Sequence, residues 1–428
     1  MEVFILVITF IILLSIGLPI AWSIGLSSLF TMLVSIPAIP TFTTIAQRMA
    51  TGLDSFSLLA IPFFILAGQI MNRGGIAKRL IAFARTLVGS LPGGLAHVNI
   101  VAAMLFGAIA GSAVAAASAI GSFMTDEMEK EGYSREFSAA VNITSSTTGL
   151  TIPPSNVLIV YSLASGGVSI AALFLAGYIP GILTGVFLMI VSAIWAKRKG
   201  FPTGKRSSVK QVVNTFINAF PSLLLLVVVI GGIVAGIFTA TEASAVAVLY
   251  CLLLTWFYKE ISFKELPGVF LDSVGTTAIV MLLIGTSMSM SWIMAYENIP
   301  QNITAALLSI SDSKVVILII INLILLFVGI FMDMTPAVLI FTPIFLPVVT
   351  ELGMDPTHFG IVMVLNLCIG LCTPPVGSVL FVGVGVAETT IQKVVRPLTP
   401  LFIAMLFALM LVTYIPELSL WLPRMFGF

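Results

Sequence analysis

The chain has 428 residues, of which 59% are hydrophobic and 9% charged, and a formal net charge of +1 at pH 7. A soluble core cannot bury so much apolar surface, so soluble classes are excluded and an all-α integral membrane protein is expected. The 3 cysteines (Cys251, Cys368, Cys372) lie in apolar runs and the 2 histidines (His97, His358) lie far apart, which leaves no disulfide framework and no metal cluster.

No basic region or small-residue cleavage site opens the chain, so the mature protein is expected to begin at Met1. Residues 3–36 form an apolar run too long for one span of about 20 residues, and Gly17-Leu18-Pro19 divides it in two. A span follows at 54–72. Over 76–90, apolar Ile76, Leu80, Phe83 and Leu87 recur at helical spacing with Lys78, Arg79 and Arg85 between them, the pattern of a helix lying along the interface. Residues 95–128 break at Gly111-Ser112 and return to charged sequence, which predicts a re-entrant hairpin. A broken helix at 136–164 and a span at 170–195 complete residues 1–200.

Residues 201–428 repeat the order. A basic amphipathic stretch at 207–219 precedes two spans in 220–258, separated at Thr239-Ala240-Thr241-Glu242, and another span at 271–296. A second hairpin is expected at 315–350, breaking at Asp333-Met334-Thr335-Pro336. A second broken helix lies at 358–386 and a last span at 398–415.

Both broken helices carry a prolyl pair, Pro153-Pro154 and Pro374-Pro375, 221 residues apart (374 − 153). Each pair removes two amide donors and keeps the preceding residue out of the helical region. Irregular backbone at membrane depth survives only against protein, water or an ion, and two broken helices at matching places mark a secondary transporter's binding site. All but three of the 19 Lys and Arg, from Arg73 through Lys205 to Arg396, fall on one side if the halves are inverted; Arg48, Lys314 and Arg424 fall on the other. That bias makes the richer side cytoplasmic and both termini periplasmic. Trp195, Trp256 and Trp421 fall at the expected interfaces.

Ser112, Asp333 and Thr335 stand where the hairpins reverse. They suit helix caps, and they also suit cation ligands, because a hairpin tip facing a broken helix gathers oxygens. Asp333 is the one carboxylate expected near the midplane, where an ionisable group is functional by default. Thr239 and Glu242 fit a capping box rather than a transport role. Cys368 and Cys372 fit packing, whereas Asn99, Asn142, Asn322 and Asn366 either polarise a lumen or join helices.

The segments IPFFILAGQIM (61–71), FGAIAGSAVAAASAIGSFM (106–124), GLTIPPSN (149–156), GIFTATEASAVAV (236–248), TPIFLPV (342–348) and HFGIVMVLNLCIGLCTPPVGSVLFV (358–382) resemble the large membrane subunit of tripartite ATP-independent periplasmic (TRAP) transporters. The resemblance covers nearly the whole chain. It implies an elevator-type carrier in the inner membrane that takes up a small organic carboxylate, of the sialic acid or C4-dicarboxylate class, with two or more Na⁺ ions. It implies a small four-helix membrane subunit on a separate chain and a soluble periplasmic substrate-binding protein as partners, with no nucleic acid. By position, one Na⁺ site would use Ser112, Gly149, Ile152 and Pro154. The other would use Asp333, Thr335, Gly370, Thr373 and Pro375. Substrate would meet Ser155, Asn156, Thr335, Gly377 and Ser378. A stand-alone Na⁺/carboxylate symporter is the alternative, distinguished by transport without a binding protein. A channel fits less well, because such pores usually repeat identical loops around an axis.

Overall fold

A computed structural model describes every residue except Met1, Gly74, Pro202, Thr203, Lys205, Phe263 and Asp312. The expected mature start at Met1 and the basic residue Lys205 thus lie outside the described residues. Among those described, all regular elements are helical. The first half comprises α1 (Glu2–Ser15), α2 (Ile20–Ser35), α3 (Ala38–Leu53), a 3₁₀ turn (Phe56–Leu59), α4 (Ala60–Arg73), α5 (Ile76–Val88), α6 (Gly94–Ala110), α7 (Ala113–Lys130), α8 (Arg135–Thr151), α9 (Asn156–Ala164) and α10 (Ile170–Lys199). The second comprises α11 (Val209–Val234), α12 (Ala240–Tyr258), α13 (Leu266–Tyr296), α14 (Ile299–Ile310), α15 (Lys314–Phe331), α16 (Met334–Glu351), α17 (Pro356–Gly370), α18 (Ser378–Val386), α19 (Ile391–Tyr414) and α20 (Glu417–Met425). Among the described residues, eight helical stretches are long and apolar enough to cross a bilayer by themselves, the 3₁₀ turn with α4 counted as one and α15 and α16 among them, while α1, α2, α6, α14 and α17 are shorter.

The breaks fall where the local chemistry demands them. Gly17 takes φ +85° and Pro19 caps α2. Gly111, at φ +62°, ends α6, and the Ser112 hydroxyl accepts the Ala115 amide at 3.2 Å to start α7. With proline at 153 and 154, the carbonyls of Gly149 and Leu150 have no amide four residues on, so α8 stops at Thr151. The second break is longer, running over 371–377 against 152–155. Both prolyl pairs are cis.

Single prolines act differently. Pro221 lies inside α11, which runs on from a Ser208–Gln211 capping box, so the separate interfacial stretch expected at 207–219 is instead the opening of that helix. One proline deletes one ladder bond, and an otherwise apolar helix carries it. Pro180 within α10 and Pro397 and Pro400 within α19 are carried likewise. Helices α3, α14 and α20 have no counterpart in the sequence reading, and α13 is longer than expected.

Helix α5 buries Ile76, Ala77, Leu80, Ile81 and Ala84, while Leu87 is exposed. Its basic side chains tie it to the second half: Arg79 pairs with Glu260 and stacks 3.6 Å over the Tyr258 ring. At the end of α4, Arg73 pairs with Asp272.

The halves exchange contacts reciprocally. Helix α7 packs on α18 as α16 packs on α9; α10 packs on α17 as α19 packs on α8; α4 packs on α12 as α13 packs on α2. Helices α8 and α17 cross antiparallel, since the Cys372 thiol donates to the Ile143 carbonyl at 3.4 Å and the Cys368 thiol to Thr147 at 3.3 Å. At the two ends of that crossing the Tyr161 hydroxyl donates to the Pro356 carbonyl at 2.6 Å, and Arg135 pairs with Glu388 at 3.2 Å. Within each half, a Gly–Gly approach locks the hairpin arm to the broken helix. A Cβ on Gly107 would stand 2.8 Å from the Gly149 Cα, and one on Gly329 3.0 Å from the Gly370 Cα. Buried asparagines close the same seams. The Ser145 hydroxyl donates to Asn99 Oδ1 at 3.3 Å, and Asn366 Nδ2 to Asn322 Oδ1 at 2.7 Å. These asparagines therefore join helices, as does Asn142, whose amide donates to the Ala117 carbonyl at 2.7 Å.

Candidate functional site

A cavity of about 280 Å³ lies where the two hairpin tips approach each other. The turn between α6 and α7 supplies Gly111 and Ser112, the turn between α15 and α16 supplies Asp333 and Thr335, and the start of α9 supplies Asn156. The opposite wall comes from α4, with Gln69 and Asn72, and from α13, with Thr276. Beside it a void of about 100 Å³ shares Ser112, Asp333 and Thr335 and reaches Leu150 and Leu371, at the ends of the half-helices α8 and α17. Both tips therefore meet the ends of α8 and α17 at one place, whereas Gly149, Ile152, Pro154, Gly370, Thr373 and Pro375 line neither void.

The two tips differ in chemistry. Ser112 is a working cap. Asp333 occupies the N-cap position of α16 yet makes no capping hydrogen bond, and the amide it approaches is that of the adjacent Met334. Its carboxylate is exposed into the cavity, and no other ionisable side chain lines either void among the described residues. Three helices (α7, α9 and α16) begin at this point, so their free N–H groups present partial positive charge to it. A carboxylate with spare oxygens next to helix N-termini can hold a cation and an anion side by side.

The remaining candidates are distributed unevenly. Gly149 is pressed on Gly107, and Ile152 and Pro154 are buried in the first break beneath α10, where a side chain on Gly181 would collide with Ile152. Ser155 is fully buried and its hydroxyl has no hydrogen-bond partner among the described residues. In the second break the Gly370 carbonyl accepts the Thr373 amide at 2.9 Å, and the Thr373 hydroxyl donates to Ile369 at 2.8 Å. Pro375 and Ser378 are exposed. Gly377, at φ +29°, donates its amide to the Ile330 carbonyl at 3.0 Å and so ties the second break to the tip of α15. Of the five residues expected to meet substrate, Asn156 and Thr335 line the cavity; Ser155, Gly377 and Ser378 do not.

Gln69, Asn72 and Thr276 are the polar cavity residues that the sequence reading missed. Two amides three residues apart in an otherwise apolar helix were the available signal. The expected capping box is present: the Glu242 carboxylate accepts the Thr239 amide at 2.8 Å, and the Glu242 amide donates to the Thr239 hydroxyl at 3.2 Å.

Residues 7–418 match the family model described as "Tripartite ATP-independent periplasmic transporter, DctM component". A Salmonella typhimurium protein designated YgiK is 57% identical, over 98% of this chain and 96% of its own length. The C4-dicarboxylate TRAP transporter large permease DctM of Rhodobacter capsulatus is 39% identical over 96% of each chain. The sialic acid large permease SiaM of Vibrio cholerae is 38% identical with the same coverage. Among solved structures, the Alcanivorax borkumensis YdaH transporter superposes with a TM-score of 0.66 over 87% of each chain at 13% identity, a likeness of fold alone. With its matched length, its fold and its relatives in agreement, the chain belongs to the TRAP transporter family as a DctM-type large permease, the multi-pass transport subunit of a tripartite system.

Proposed function

We propose that this permease moves a small organic carboxylate, of the sialic acid or C4-dicarboxylate class, across the inner membrane together with two or more Na⁺ ions. The observation that carries the reading is the meeting of both hairpin tips with the ends of the broken helices at two adjoining voids, where Asp333 is the sole ionisable side chain among the described residues. Na⁺ takes oxygen ligands, and the groups offered are of that kind: the Asp333 carboxylate, the Thr335 and Ser112 hydroxyls, and, as the nearest main-chain oxygens of the two broken helices, the carbonyls of Gly149, Ile152, Pro154, Gly370, Thr373 and Pro375. The substrate carboxylate is then met by helix N-termini and bound cations, since no Arg or Lys among the described residues lines the cavity.

The antiparallel crossing of α8 and α17 supports an inverted relation between residues 1–200 and 201–428, with both termini periplasmic. In this reading the hairpins and broken helices travel as one body against α4 and α13, an elevator movement. The system is completed by a small four-helix subunit on a separate chain and by a soluble periplasmic binding protein that delivers the carboxylate. The test is uptake into proteoliposomes holding both membrane subunits, with binding protein and substrate outside. Uptake is expected to need an inward Na⁺ gradient. Uptake undiminished when K⁺ replaces Na⁺ refutes the coupling, and uptake by this chain alone favours a stand-alone symporter.

A further inference from the structure

Away from the transport cavity, a shallow bowl of about 520 Å³ opens where α10 ends, α19 begins and the turn from α7 to α8 passes between them. Lys199, Lys393 and Arg396 line it against a single carboxylate, Glu136, and none of the three cations forms an ion pair among the described residues. Its wall is aromatic: Tyr133, Trp195 and Phe201, with Phe137 stacked 5.9 Å behind Trp195 and 5.7 Å from Phe201. Two arginines at this end do have acidic partners, Arg135 in Glu129 and Glu388 and Arg85 in Glu127. The bowl holds uncompensated positive charge.

What lies below the bowl identifies its ligand. Down α10, Ile182, Val186, Ile190 and Ile194 recur every fourth residue and are all 42–49% exposed. Down α19, Val395, Ile403 and Phe407 form a second exposed stripe, and Phe407 meets Phe187 of α10 at 5.4 Å between ring centroids. The stripes converge on the bowl from two packed helices. From Ile194 to Ile182 a helix descends about 18 Å, close to the roughly 15 Å depth of one leaflet. A soluble phosphate would use only the cations, whereas a two-tailed lipid uses all of it.

We propose that the bowl is a headgroup site for an anionic glycerophospholipid. Its phosphodiester lies among Lys199, Lys393 and Arg396, Trp195 sits at headgroup level, and its acyl chains follow α10 and α19. The occupant bridges the end of α10 and the start of α19. The proposal stands independently of the transport reading.

The test uses the complex with its small subunit, purified in detergent and offered equal amounts of dioleoyl phosphatidylglycerol and dioleoyl phosphatidylcholine, with bound lipid read by native mass spectrometry. Phosphatidylglycerol is expected to be retained preferentially. Interfacial cations contribute about 1 kcal/mol each, so Lys393→Gln with Arg396→Gln should cut that preference about tenfold or more. Lys210→Gln, on the exposed start of α11, leaves it unchanged. Should the double variant not assemble, Lys199→Gln alone is expected to lower the preference about threefold or more. Equal retention of both lipids, or a preference that survives the charge variants, overturns the proposal. So does displacement of the lipid by millimolar glycerol 3-phosphate, which would make the bowl a soluble-anion site. A preference that appears only when the small subunit is absent also overturns it, because the stripes would then be a subunit interface.

Discussion

Replacing Asp333 by asparagine separates a cation ligand from a helix cap. The side chain keeps its shape and one acceptor oxygen while losing its charge. Because Asp333 makes no capping hydrogen bond, the exchange takes nothing from the start of α16, and asparagine is as good a cap residue as aspartate. A unit charge pair 4 Å apart at an effective dielectric of about 20 interacts by roughly 4 kcal/mol. Desolvation of the carboxylate and the cation offsets part of that, which leaves an expected loss of about 1.4 kcal/mol or more, a tenfold weaker Na⁺ affinity. The assay is the Na⁺ dependence of substrate uptake in proteoliposomes at matched reconstitution, with thermal unfolding measured on the same preparation. The expected result is a half-saturating Na⁺ concentration raised about tenfold or more with the unfolding temperature unchanged. An unchanged half-saturating concentration would refute the cation role and shift it to Thr335 and the carbonyls of the second break. A lowered unfolding temperature with unchanged Na⁺ dependence would make Asp333 a structural residue.

Gly370→Ala is expected to cost about 1–3 kcal/mol, because its Cβ would stand 2.6 Å from the Gly329 Cα, backbone that cannot yield. Gly385→Ala, with nothing within 4 Å, should not lower the unfolding temperature of the detergent-purified protein and serves as the comparison. Arg79→Ala removes a partner from Glu260 and a cation from the face of Tyr258; with both charged side chains under a quarter exposed, the loss should reach about 1–3 kcal/mol. The same change at the more exposed Arg85 should cost under about 1 kcal/mol. Thr239→Ala, which empties the capping box of α12, is expected to cost about 1 kcal/mol in thermal unfolding while leaving the Na⁺ dependence of uptake unmoved. A changed Na⁺ dependence would place this turn in the transport path.

Features with a local cause could be read from the residues. Adjacent prolines end a helix whatever surrounds it, so 152–155 and the region of Pro374-Pro375 were legible, as were the Gly111-Ser112 turn and the Thr239–Glu242 box. Helix α11 was misdivided because a lone proline such as Pro221 breaks a helix only when no neighbours support it, and support is a tertiary fact. The polar sequence of α3 and the short amphipathic α14 lacked the hydropathy that announces a span. At the site, Gln69, Asn72 and Thr276 escaped because many spans carry isolated polar residues, and only packing decides which of them face the hairpin tips. The family resemblance implies substrate contacts at Gly377 and Ser378 in the second half as at Ser155 and Asn156 in the first. That symmetry fails locally: the second break is longer, and Gly377 turns toward Ile330 instead of the cavity.

The two breaks are not in the same condition. Residues 152–155 are buried throughout, while Pro375, Val376 and Ser378 are exposed. Yet several helix pairs around them recur with the halves interchanged, α7 on α18 as α16 on α9, and α10 on α17 as α19 on α8. Under the inverted relation proposed above, exchanging the roles of the halves would seal the second break and uncover the first while reusing those pairings, so the opposite-facing form of the carrier needs no separate set of instructions in the sequence.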